Sequence, residues 1–387
     1  MLNKSNLLYF FLYLGLFSFY IITPLTLSQI NYKMWVANGY NIEITILLDL
    51  IKSIFEKQIF LFLILLFYII ALYLILKILR YDSAKDKIIE NNNINKAILI
   101  LVIPCLILLT IDLIQIFYFV YDLNFEMSKI RDKIYLNFLD QRKTHINLLI
   151  ILTPLIFNVY RKTSTIIYLL IVFYAFLSLS RFELILLFLV HVNLNIKINY
   201  RNFLWILIII SFIVFMRVFV SYDFKISNEY LLILFNQTTI ESIHVFISNI
   251  TAIEYIKNVT IIEYINQNIK FLSNNFFYTN YDIISIPKQT LEYFQSDKNH
   301  LQMYSTSGFS TILIFFPIFI LQTLILLFLL NKINNKNISK VYIFFLLLFL
   351  FRGHFVHTCL FLVKLSLLLL FLLWIIKKLQ MLNFKVE

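Results

Sequence analysis

Glycine and proline are nearly missing from this 387-residue chain, at four and five residues. That excludes linkers of the usual composition. Cysteine occurs only at Cys105 and Cys359, both in or near apolar runs, which excludes a disulfide framework and any zinc-binding spacing. Charge is scarce: 14% of residues, with 21 acids against 33 bases. There is no internal repeat. No phosphate-binding loop, dinucleotide fingerprint, nucleophile elbow or HExxH pair occurs. The excess of Ile, Asn, Lys and Phe follows base composition, so a single Asn or Lys carries little weight. The Asn-x-Thr triplets at Asn236, Asn249 and Asn258 are expected by chance in such a chain.

What fills the chain instead is hydrocarbon. It is 61% apolar with a mean hydropathy of +0.84; soluble domains are about 45–50% apolar. Apolar runs cover about 7–27, 59–79, 97–121, 146–160, 165–194, 203–220, 309–330 and 341–376. Runs of about 18 or more such residues mark transmembrane helices. The first run is read as a retained helix, since no small-residue cleavage site follows it. Two runs are too long for one crossing: a 30-residue helix is about 45 Å long against a hydrocarbon core of about 30 Å. Each has a polar break, "SLSRFE" in 165–194 and "FRGHFVH" in 341–376.

Basic residues decide how those two runs are threaded, because they concentrate on the cytoplasmic side. If both runs split into hairpins there are ten helices and both termini are cytoplasmic. Sixteen basic residues, among them Arg80, Arg161, Arg201, Lys332 and Lys378, and four acids then fall on that side, which accounts for the whole net charge of +12. If the first run stays whole, the "NKINNKNISK" loop moves outside and the rule is broken. The expected fold is thus an all-α polytopic membrane protein. Helices one to seven lie in 1–220, one large external (periplasmic) loop in 221–307, and helices eight to ten with a cytoplasmic tail in 308–387.

This topology brings Arg181 and Arg352 to outer hairpin tips and Arg217 to the outer end of the helix 203–220. An Arg at the midplane would cost about 2.5–3.5 kcal/mol on insertion scales, so the tips are also the cheaper positions. In the external segment, Ile243, Phe246, Ile250 and Ile253 recur at helical spacing, as do Ile261, Ile265, Ile269 and Leu272. Two amphipathic helices are expected, packed on the bundle or lying along the interface. The segment carries five basic and eight acidic residues, which disfavours nucleic acid.

Guanidinium groups bind phosphate bidentately and stay charged. Three at one face suit an anionic group such as a lipid-linked diphosphate; alternatively each anchors a helix end. Glu183 is either the ion-pair partner of Arg181 or a base. His300 and His354, with His357, have the titration range for handling an acceptor proton. Phe276, Tyr278 and Tyr281, in "NNFFYTNYD", offer rings to stack on sugars. Asp112 and Gln115 fall inside the third helix, where an Asp is either paired in the bundle or couples protons in a transporter. No metal or other cofactor is expected.

About ten helices, a large loop before the last three, and an Arg at a short hairpin tip resemble the O-antigen and capsular polysaccharide repeat-unit polymerases (Wzy type). "SLSRFELILLFL" is similar to the Ser-Arg and apolar run of that family. "LQMYSTSGFSTILIFF" (301–316) resembles the end of the large loop in the related ligases, and "LFRGHF" the late Arg-Gly turn of the polymerases. The resemblance implies a GT-C-like, metal-independent glycosyltransferase of the bacterial inner membrane. Its donor and acceptor would be undecaprenyl-diphosphate-linked oligosaccharides, with a chain-length regulator as a further partner. Arg181, Arg217 and Arg352 would hold the leaving diphosphate, and His300 would serve the acceptor. The rival readings are a transporter or flippase of the same lipid-linked glycan, another membrane transferase, and a structural subunit.

Overall fold

The computed structural model describes residues 4–29, 51–52, 59–83, 92–122, 144–177, 181–195, 208, 230–277, 279 and 307–383. Among these residues there is helix and no strand. The order is α1 (Lys4–Phe17), a π turn (Ser18–Ile22), α2 (Thr23–Gln29), α3 (Ile59–Ser83), α4 (Asn92–Asp122), α5 (Thr144–Ile156), α6 (Arg161–Leu177) and α7 (Arg181–Asn195). Then come α8 (Tyr230–Asn258), α9 (Ile261–Phe276), α10 (Gly308–Ile314), α11 (Phe316–Ile333), α12 (Lys336–Phe351) and α13 (Phe355–Asn383). Each over-long apolar run is two helices: α6 and α7 replace the first, α12 and α13 the second.

Among the described residues three helices are long and apolar enough to cross a membrane: Asn92–Asp122, Phe316–Ile333 and Phe355–Gln380. On α4, one face (Ile98, Val102, Leu109, Ile116, Val120) is buried, while Ile103, Ile107, Ile114 and Phe117 are exposed. A helix apolar on every side belongs in a core or in lipid. Exposed apolar surface on this scale marks a membrane or protein interaction surface. The described residues are therefore all-helical, with helices fit by length and composition to span a membrane.

The chain folds into two compact units of interleaved segments: Met1–Asp86 with Phe235–Asn331 and Tyr342–Ser366, and Lys87–Leu234 with Lys332–Val341 and Leu367–Glu387. In the second unit α4 packs on α5 and α6, and α7 on α5 and α6. Polar pairs tie these helices. The His145 imidazole lies 3.0 Å from the Asp112 carboxylate, both largely buried. The Tyr168 hydroxyl lies 2.8 Å from His191 Nδ1, with Phe157 packed on both rings. In lipid the solvent does not drive helices together, so contacts and interhelical hydrogen bonds must do so.

The first unit is organised around rings. Tyr68 of α3 and Phe351 at the end of α12 stack at 5.1 Å, and Tyr13, Tyr20 and Phe309 surround them. Helix α8 passes through this core. Ile243, Phe246, Ile250 and Ile253 are buried as their spacing predicts, but so are Val245, Ile247, Ser248, Asn249 and Ala252. Over 242–253 it is thus enclosed on all sides rather than amphipathic. The spacing rule misleads here because Ser, Asn and Thr count as polar, whereas these ones are buried in hydrogen bonds.

Candidate functional site

The site with most chemistry among the described residues is the turn between α12 and α13. Phe351, fully buried in the ring cluster, clamps the end of α12. Gly353 then reverses the chain at φ +102°, a left-handed conformation costly for any residue with a Cβ. The carbonyl of His354 accepts from the Thr358 N–H and hydroxyl, at 2.9 and 3.0 Å, which starts α13. Arg352 and His354 are thereby held on a turn of three residues, half-buried. His357 stands one helical turn further on, its ring 5.3 Å from that of His354 and 4.6 Å from Phe271 of α9.

A second sequence motif packs directly beneath this turn. Gly308 opens α10 so close to the end of α12 that a Cβ there would stand 2.2 Å from the Phe349 carbonyl oxygen and 2.4 Å from that of Leu350. No side chain fits. The Ser307–Gly308–Phe309 start of α10 and the "LFRGHF" stretch are thus one structural piece. Just before Gly308, buried Ser307 caps α10: its hydroxyl accepts from the N–H groups of Phe309 and Ser310. The same hydroxyl donates to Asn249 Oδ1 at 2.6 Å, while the Ser307 N–H donates to Ser248 Oγ at 2.9 Å. Asn249 Nδ2 reaches the Tyr68 hydroxyl at 3.5 Å, and the Tyr13 hydroxyl donates to the Tyr68 carbonyl at 2.9 Å. A chain of polar groups from α1 to α10 therefore fixes the floor of the turn, where each buried group must find a partner.

Beside that floor, α3, α8 and α10 enclose an apolar cavity of about 230 Å³, with Asn249, Tyr68 and Lys257 as its polar members. Among the described residues no three of His, Cys, Asp and Glu stand together as a metal site would require.

The sequence-derived candidates divide into three groups. Arg352 and His354 are brought together, with His357 beside them. Arg181 and Glu183 open α7, in the other unit, and their side chains lie outside the description. Arg217, His300, Tyr278 and Tyr281 lie outside the described residues, as does the side chain of Phe276; its neighbour Phe277 is 79% exposed. The sequence reading passed over Ser307, Tyr68 and Lys364. Ser307 was legible as an N-cap, a Ser directly before a helix. Asn249 was set aside as compositional drift and an incidental acceptor triplet, but it is buried and bonded at both ends of its amide. Comparison with protein-family models, with curated proteins and with solved structures finds no match to this chain.

Proposed function

We propose that the chain is a membrane transferase that polymerises lipid-linked oligosaccharide repeat units. A polyisoprenyl-diphosphate-linked glycan is passed to the sugar of an incoming lipid-linked unit at the outer face of the bacterial inner membrane. One observation carries the reading: the Gly308 stretch and the Arg-Gly turn, singled out separately in the sequence, pack as one piece that presents Arg352 with His354 and His357. The glycosidic bond to the diphosphate breaks, the acceptor oxygen bonds the anomeric carbon, and the acceptor proton passes to a base. Arg352 would neutralise the charge left on the diphosphate, aided by Arg181 and Arg217. His354 or His300 would take the proton. Phe276, Tyr278, Tyr281 and Glu183 would line the glycan path. The topology belonging to this reading has ten spans, cytoplasmic termini and the 221–307 segment outside, with α8 leaning on α3.

The second reading is a transporter of the same lipid-linked glycan. It is favoured by the Asp112–His145 pair, a largely buried ionisable couple between the candidate span α4 and the neighbouring helix α5. One experiment separates the two. Arg352→Ala and Arg181→Ala are expressed in cells lacking the native gene, membrane levels are matched, and the surface glycan ladder is compared. Polymerisation requires loss of long chains with single units still displayed, a rate loss of about 10²–10³-fold as for removal of a charge-stabilising donor. Absence of single units outside supports transport. Unchanged ladders from both variants reduce the arginines to helix-end anchors.

A further inference from the structure

Helix α9 is divided lengthwise into three sectors. At about 100° per residue, Tyr264, Asn268, Phe271 and Asn275 share the first. This sector is docked: the Tyr264 hydroxyl donates to the Leu313 carbonyl and accepts from the Phe316 N–H, at 3.0 and 3.3 Å. Asn268 Nδ2 donates to the Ile314 carbonyl, and the Phe271 ring lies 4.4 Å from that of Phe315. Glu263, Asn266, Gln267, Lys270 and Asn274 form the second, polar sector. The third is apolar and uncovered: Ile261, Ile262, Ile265 and Ile269 are 79%, 73%, 50% and 56% exposed. A water-soluble helix would dock its isoleucines; α9 leaves four of them uncovered and docks Asn268 instead.

Its place in the fold says what covers the isoleucines. The α9 contacts named above fall at or just before the start of a candidate span: Leu313, Ile314 and Phe315 directly precede the one that Phe316 opens, and His357 is the third residue of another. A span begins where hydrocarbon meets the head groups, so α9 lies at that level. Helix α11 likewise leaves apolar side chains exposed (Phe316, Ile320, Leu321, Leu324, Phe328). Lys364 supports this placement. It is a cation ten residues into the span that begins at Phe355, yet its ammonium reaches out 2.7 Å from the Asn275 carbonyl in the last turn of α9. Long cationic side chains in membranes lead their charge toward the interface in this way, and a helix C-terminus attracts them.

We infer that α9 is a membrane-surface helix whose Ile261–Ile262–Ile265–Ile269 sector is buried in the acyl-chain boundary of the bilayer, its polar sector facing water. The occupant of the apolar face is lipid, not a partner protein or a second copy of the chain.

The test uses the full chain with Cys105→Ala and Cys359→Ala in nanodiscs of phosphatidylcholine and phosphatidylglycerol. A nitroxide is placed at Ile265→Cys, Ile269→Cys or Asn266→Cys, and its relaxation by dissolved oxygen and by an aqueous nickel chelate is measured. Labels at 265 and 269 should respond to oxygen several-fold more than to the chelate, and the label at 266 the reverse. A chelate response at 265 and 269 equal to that at 266 places the face in water and overturns the inference. Shielding of 265 and 269 from both reagents overturns it too, because protein then covers them. If the thiol-free chain does not fold, Ile265→Trp in the native-cysteine chain with Trp35, Trp205 and Trp374 changed to Phe decides: strong quenching by brominated lipid supports lipid contact, and none refutes it.

Discussion

At the scale of single residues, the two glycines of the site do different work, and their substitutions should fail differently. Gly308→Ala drives a Cβ into the backbone oxygens of α12, which cannot swing aside as a side chain can. A loss of about 1–3 kcal/mol is expected, the range for overpacking. Gly353→Ala meets only the edge of the Phe349 ring, and its cost is chiefly the positive φ. That costs about 1–2 kcal/mol, and Gly353→Asn should recover part of it because Asn tolerates the left-handed region. Thermal unfolding in detergent measures both. Gln322 predicts a change of opposite sign. It is 3% exposed on α11, and neither amide atom has a partner among the described residues. A buried polar group left unpaired costs about 1–3 kcal/mol, so Gln322→Leu should raise the unfolding midpoint.

At the scale of elements, α4 and α5 are joined through Asp112 and His145. Replacing His145 removes this buried hydrogen bond, worth about 1.5–3 kcal/mol where a charged group takes part. His145→Leu should therefore destabilise the second unit strongly, whereas Asp112→Asn keeps an acceptor for the imidazole and should lose less; matched melting curves give the comparison. Helix α9 has its own switch. Thr260 and Glu263 form a reciprocal capping box at its N-terminus. The Thr260 N–H, and after it the Thr260 hydroxyl, hold the Glu263 carboxyl below its ordinary value of 4.5. A carboxyl depressed on folding contributes fully above its unfolded value and loses that contribution as pH falls through the folded one. Hydrogen-exchange protection of the first turn of α9 should be level above pH 5 and fall below about 4.5. Glu263→Ala should lack that step, and Thr260→Ala should lower protection at every pH by the equivalent of about 1 kcal/mol.

At the scale of the whole molecule, the charge pattern predicts the orientation. Alkaline phosphatase fused within 285–300 should be active and within 332–340 inactive if the proposed ten-span topology holds, since it puts the loop with Lys332, Lys336 and Lys340 in the cytoplasm. Equal activity at both sites would break the ten-span arrangement and, with it, the outward placement of Arg352.

The sequence by itself determined the class. Runs of Leu, Ile and Phe longer than any soluble core needs require a helical membrane protein, since a strand edge or loop in lipid leaves backbone groups unpaired. It also marked where the two long runs break, at Arg181 and Arg352, because a charge and a polar cluster in hydrocarbon signal a turn at the surface. Three things were decided only in three dimensions. Asn249 and Ser307 are 58 positions apart, and nothing local says that their side chains meet. Gly308 reads as an ordinary helix start until the carbonyls of α12 press against it. The isoleucine period of α9 marks an apolar face, but periodicity is blind to whether protein or lipid covers it. Only the docking of Tyr264, Asn268 and Phe271 assigns protein to the opposite side. In a membrane a helix can afford to hide its amides and show its hydrocarbon, because the solvent outside is hydrocarbon too.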